Sequence, residues 1–164
     1  PEALLLLRLQ DLGVAVATIP LAWAGLHVIR SAGSYPGGWL TDRLGARWTV
    51  GAGSAVFALV VAALARPLHE PAAIAVFLAL GAVAGLTEAS ERATVARLAP
   101  VRSGRGFGAY HAVVGVAALP AGLFFGGLYR WAGAPVAFTT SAVGAIAAGG
   151  LWLVTAPRGL EVTS

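Results

Sequence analysis

The chain has 164 residues, 58% of them hydrophobic and only 11% charged, with a formal net charge of +4. Soluble domains average about 25% charged residues, so 11 basic and 7 acidic side chains are too few to cover a globule of this size, and the mean hydropathy of +0.80 excludes a disordered chain as well. The absence of cysteine excludes a disulfide scaffold, a thiolate metal site and a catalytic thiol. What remains is an all-α bundle in a lipid bilayer, where apolar surface needs no covering and helices satisfy their own backbone polar groups.

The elements follow in chain order. Ala3 to Leu7 are apolar but stop at Arg8, too short for a signal-peptide core or a span. Residues 1–13 therefore read as the end of a truncated transmembrane helix with an extracytoplasmic link. Five stretches near the roughly 20 residues that a span requires follow, over about 14–40, 48–65, 72–98, 107–129 and 135–156. Residues 158–164 form a short tail. The expectation is a polytopic transmembrane bundle of about five full spans plus an N-terminal helix stub. The short links force successive helices antiparallel.

Every cation is arginine. Arg43, Arg47, Arg97, Arg102, Arg105 and Arg158 fall on one side of the spans, and Arg8, Arg66 and Arg130 on the other. The positive-inside bias makes the first side, and with it the C-terminus, cytoplasmic. A pI near 10.7 would suggest nucleic acid in a soluble protein. These arginines are scattered singly between apolar runs, so no nucleic-acid partner is expected; the partner is the bilayer. Gly33/Gly37, Gly81/Gly85 and Gly122/Gly126 have the small-xxx-small spacing of closely packed membrane helices. Pro20, Pro36 and Pro120 are expected to kink their helices.

Charge inside the spans is selective. The second and fifth stretches carry none in their cores. The first has His27, Arg30, Ser31 and Ser34 on one face; the third has Glu88, Glu91 and Arg92 on one face; the fourth has Tyr110 and His111 near its start. A charge at mid-span costs at least about 2.5 kcal/mol, so these faces must meet protein or water. At about 1.5 Å per residue, Arg30 and Glu88 lie roughly 18 and 14 Å from the cytoplasmic side, and an Arg30–Glu88 pair is geometrically allowed. Arg30, Glu88, Glu91, Arg92, His27 and His111 are candidates for substrate contact or proton coupling. Structural ion pairs that fix helix packing are the alternative for the charges, and satisfied core histidines for His27 and His111. Catalytic constellations are missing: His69-Glu70 runs into Pro71, and Gly104-Arg105-Gly106 lacks a preceding strand. No enzyme activity, cofactor or metal is expected.

The link after the first span reads Gly38-Trp39-Leu40-Thr41-Asp42-Arg43-Leu44-Gly45-Ala46-Arg47. Gly45 permits a tight turn and Arg47 anchors the next span at the headgroups. This resembles the signature loop of the major facilitator superfamily, G-x-L-x-D-R-x-G-R-[RK]: Gly38, Leu40, Asp42, Arg43, Gly45 and Arg47 match, and Ala46 stands where that family has a basic residue. Leu4 to Gly13 is similar to the end of the family's seventh span, and residues 88–111 to its tenth span leading into the eleventh. The resemblance implies the C-terminal half of a secondary active transporter that moves a small solute by alternating access in the cell membrane. Its partners would be a small-molecule substrate and the missing N-terminal half of the same polypeptide. The signature loop would gate it, and Glu88 or Glu91 would carry protons if protons drive it. The halves of this fold are repeats, so assignment as the N-terminal half stays open, as does a non-transporting membrane scaffold or accessory subunit.

Overall fold

The computed structural model of the chain describes residues 2–157. The expected cytoplasmic tail, 158–164, and with it Arg158, lies outside the described residues. Five helices follow in order: α1 (Glu2–Asp11), α2 (Ile19–Leu44), α3 (Ala46–Leu64), α4 (Glu70–Leu98) and α5 (Ser103–Thr155). No strand occurs among the described residues. Three of the described helices, Ala46–Leu64, Glu70–Leu98 and Gly104–Thr155, are long and apolar enough to cross a membrane. The polar residues of α2 keep it out of that set, although its 26 residues reach about 39 Å at the α-helical rise.

Several boundaries differ from those read in the sequence, each for a local reason. Gly13 adopts φ 89° and a turn of 3₁₀ helix occupies Val16–Thr18, so α2 begins at Ile19 rather than near Val14. Pro20 then falls in the first turn of α2, where its missing N–H costs nothing, and is not an interior kink. Pro36 and Pro120 do lie inside helices. The expected link over 41–47 shrinks to Gly45 alone. With φ 81° and ψ 151°, a backbone that a side chain would strain, Gly45 donates to the Thr41 carbonyl at 2.9 Å while its own carbonyl accepts from the Thr49 amide at 3.2 Å. One residue thus closes α2 and opens α3.

The link expected over 130–134 is also a single glycine. Gly133 breaks α5 at φ 85° and ψ 169°, a region open only to glycine. Its 53 residues would otherwise run about 80 Å, more than twice the hydrocarbon core of a bilayer. The two arms, 103–132 and 134–155, correspond to the last two expected spans.

Helices adjacent in sequence are not the ones that pack most closely. Parallel contact joins α2 to α4, with Leu26 beside Gly81, Arg30 and Gly33 beside Gly85, and Gly37 beside Leu86. A Cβ added at Gly37 would stand 2.7 Å from the Gly85 carbonyl oxygen and the Leu86 Cα, and one at Gly81 would stand 2.5 Å from the Leu26 carbonyl oxygen. Two of the three small-xxx-small pairs therefore face each other, and the backbones touch. Antiparallel to α3 runs the second arm of α5: Leu153 lies over Gly51, and Ser54 over Gly149. The third pair, Gly122/Gly126 on the first arm, has nothing within 4 Å.

Helix α1 is tied in by Arg8, one of the few buried polar side chains, at 8% exposure. Its Nε donates to the Leu64 carbonyl at 2.8 Å and its Nη2 to the Arg66 carbonyl at 2.9 Å. These carbonyls sit at the C-terminal end of α3, where helix geometry leaves acceptors unpaired and negative. Arg8→Ala is expected to cost about 1–3 kcal/mol by stranding them, read as a lower thermal unfolding midpoint; an unchanged midpoint would refute the capping role.

Candidate functional site

The charged residues singled out from sequence gather where α2, α4 and the first arm of α5 meet. Side-chain spacing places Arg30 on the face of α2 toward α4, and Glu88 two turns below the Gly81 contact. The glycine packing brings the two helices close enough for Arg30 Nη2 to donate to Glu88 Oε1 across the interface. Glu88 Oε2 faces Arg92 Nη2 at 3.5 Å, one turn on along the same helix. One carboxylate is thus shared between two guanidinium groups. The Arg30 and Glu88 side chains keep 31% and 20% of their exposure, whereas Arg92 keeps 70%. The pair therefore sits in a partly desolvated seam, where Arg30 and Glu88 offset each other's charge, and Arg92 lies at its solvated rim.

Glu91 is engaged separately. The Tyr110 hydroxyl donates to Glu91 Oε2 at 2.6 Å and pins the start of α5 to α4. At the far end of the same arm the Tyr129 hydroxyl donates to Asp11 Oδ2. Residues 111–120 between them are exposed throughout.

The histidines stay out of the charge cluster. His27 is exposed, with its ring edge-on to Trp23 at 4.9 Å, and His111 is exposed, with its ring edge-on to Tyr110 at 5.1 Å. Two cavities flank the ion pair. One, of about 190 Å³, is lined by Arg30; the other, of about 330 Å³, by Glu88 and Glu91; Phe57, Leu80 and Ala84 line both. Among the described residues no three His, Asp or Glu side chains stand close enough to hold a metal.

The signature segment splits into a tied part and an open part. Arg47 donates through Nε to the Leu153 carbonyl at 3.1 Å and through Nη2 to the same oxygen. In return the Trp152 indole N–H donates to the Arg47 carbonyl at 3.0 Å. Leu153 lies in the last turn of α5, where a guanidinium meets both an unpaired acceptor and the negative end of the helix. Gly38 is uncrowded, with nothing within 4 Å of where a Cβ would be, and Leu40 is half-buried. The Arg43 guanidinium stacks over the Trp39 ring at 4.4 Å. Asp42 is exposed and has no hydrogen-bond or ion-pair partner among the described residues. Arg47→Ala is expected to cost about 1–3 kcal/mol and to loosen α5 from α3, seen as faster proteolysis in the second arm; identical cleavage rates would rule this out.

Sequence reasoning missed three contacts. Thr41 and Ser90 form a buried hydroxyl pair at 2.5 Å that clamps α2 to α4. Arg8 and Tyr129 reach distant helix ends. Only the hydroxyl pair left a trace in the sequence: Ser90 sits between the two glutamates, on a helix whose polar residues were already suspect.

A comparison with curated proteins returns no match. The family model described as Major Facilitator Superfamily matches residues 3–164. That match spans nearly the whole chain and agrees with an all-α bundle of long apolar helices, so the chain belongs to the major facilitator superfamily, whose members are multi-pass membrane transporters.

Proposed function

We propose that the chain is the C-terminal half of a secondary active transporter, moving a small solute across the cell membrane by alternating access. The observation that carries this reading is the Arg30–Glu88–Arg92 cluster. Intramembrane charge is expensive to retain unless it works, and here one carboxylate lies between a part-buried guanidinium and an exposed one. In this reading the helices with charged cores, α2, α4 and the first arm of α5, face the substrate path, and α3 with the second arm of α5 supports them from outside. Glu88 is the proton carrier. Gly38, Leu40, Asp42, Arg43, Gly45 and Arg47 form the cytoplasmic gate, with Asp42 available to a partner on the N-terminal half of the same polypeptide. The C-terminus is cytoplasmic.

These 164 residues hold no cysteine, so once any cysteine elsewhere in the polypeptide is replaced, labelling reports on an introduced one alone. In the native polypeptide containing this chain, a Gly38→Cys variant is expected to react with a membrane-impermeant maleimide from the cytoplasmic side only. Its rate should change when a proton gradient is imposed and rise in an Asp42→Asn background, as the closed state loses a contact. A rate constant under all three conditions would overturn alternating access and favour a static membrane scaffold.

A further inference from the structure

The cavity of about 190 Å³ on the Arg30 side of the ion pair has a composition that the transport reading does not use. Its walls include five aromatic rings, those of Trp23, Phe57, Phe125, Tyr129 and Phe138. Arg30 is the one charged side chain in its lining, and the hydroxyl-bearing Tyr129 and Ser141 complete the polar part. An apolar cavity of about 150 Å³ is enough to hold a benzene ring, so this one has room for a ring and a small polar head. We propose that it binds a small organic carboxylate with a flat, apolar body, the ring lying among the aromatic walls and the carboxylate on the Arg30 guanidinium.

Three features support this ligand class over others. A guanidinium offers a planar fork of donors that matches a carboxylate and stays charged at every relevant pH. Glu88 and Glu91 line the neighbouring cavity instead, so the charged group this lining presents is the Arg30 guanidinium, which favours an anionic ligand over a cationic one. The third feature is the placement of Arg92. A ligand carboxylate on Arg30 competes with Glu88 for the same group. Glu88 then keeps Arg92 beside its other oxygen, at 3.5 Å, so binding does not strand a carboxylate in a partly desolvated seam. The site lies within this bundle, and its occupancy does not require that the protein transport anything.

Trp23 in the wall supplies the readout. The native polypeptide, purified in detergent, would be titrated with benzoate, benzyl alcohol and benzylamine while its tryptophan emission is followed. Benzoate is expected to quench saturably and more tightly than the neutral or cationic analogue, and Trp23→Phe to remove the signal. Arg30→Gln should weaken benzoate about tenfold or more, the scale of one lost charge-assisted hydrogen bond, with Arg30→Lys in between. Ser141→Leu, which narrows the cavity without touching the ion pair, should abolish quenching. Glu88→Gln should tighten benzoate, because it removes the competitor for Arg30; a residue that merely held the helices together would not shift affinity in that direction. Equal binding of all three probes, preference for benzylamine, no saturable quenching, or benzoate affinity indifferent to both Arg30→Gln and Ser141→Leu would each overturn the proposal. These outcomes are independent of the maleimide labelling above, so either reading can fall alone.

Discussion

Gly85→Leu is expected to prevent the bundle from assembling. A Cβ at this position would collide with the Arg30 carbonyl oxygen and stand 3.0 Å from the Gly33 Cα. Both obstacles are backbone, inside a neighbouring helix that cannot yield locally, so α2 must move away from α4 as a body. Even Gly85→Ala should cost about 1–3 kcal/mol by overpacking, and leucine considerably more. Separation of the two helices would also pull Arg30 from Glu88 and Thr41 from Ser90, contacts that depend on the same close approach. Gly126→Ala is the matched control: it is again the second glycine of a small-xxx-small pair, but with nothing within 4 Å, and it is expected to be neutral or slightly stabilising, since glycine is a poor helix former. Monodisperse yield by size-exclusion chromatography, with thermal unfolding of the alanine variants, decides the matter. Equal behaviour of Gly85→Ala and Gly126→Ala would show that the α2–α4 contact does not control assembly.

Glu88→Gln is expected to abolish movement of solute driven by a proton gradient while leaving exchange of solute against itself, which needs no net proton transfer. Glutamine keeps the size of the side chain and an acceptor oxygen but removes the anion that Arg30 and Arg92 share. Stability should fall as well, by about 1–3 kcal/mol, less than for a fully buried pair because 31% and 20% of the two side chains remain exposed. Glu88→Asp, which restores the charge on a shorter stem, should recover part of the gradient dependence. Reconstituted vesicles with and without an imposed pH gradient distinguish the two modes. If the gradient accelerates the glutamine variant as much as the parent, Glu88 is a structural ion-pair member and not the proton carrier.

The class of fold was legible in the sequence, because a bilayer imposes a length and a polarity on every helix that crosses it. The charged faces were legible for the same reason: Arg30, Glu88, Glu91 and Arg92 interrupt apolar runs where charge is costly, and their depth along each helix follows from a constant rise per residue. Depth alone allowed Arg30 to meet Glu88, and the geometry of α2 and α4 brings the two together. The matches of Gly38, Asp42, Arg43, Gly45 and Arg47 to the family's loop are likewise a property of the string of residues.

Partner choice was not legible. The short links make α2 and α3 antiparallel neighbours in sequence, yet the close backbone contact is between α2 and α4 and between α3 and the second arm of α5. Arg8 and Arg47 read as topological markers at span ends, but each donates to helix-end carbonyls in a distant part of the chain, 56 and 106 residues away for Leu64 and Leu153. Backbone acceptors carry no side-chain signature, so nothing in the sequence marks such a bond. The glycine pairs make the same point. Gly33/Gly37, Gly81/Gly85 and Gly122/Gly126 are equivalent as text, and only the packing makes the first two a backbone contact and leaves the third uncovered. The sequence by itself determined an all-α membrane bundle whose apolar runs are interrupted by charge at Arg30, Glu88, Glu91 and Arg92. Which helix meets which was decided in three dimensions, because close packing depends on surfaces matching across the bundle and not on order along the chain.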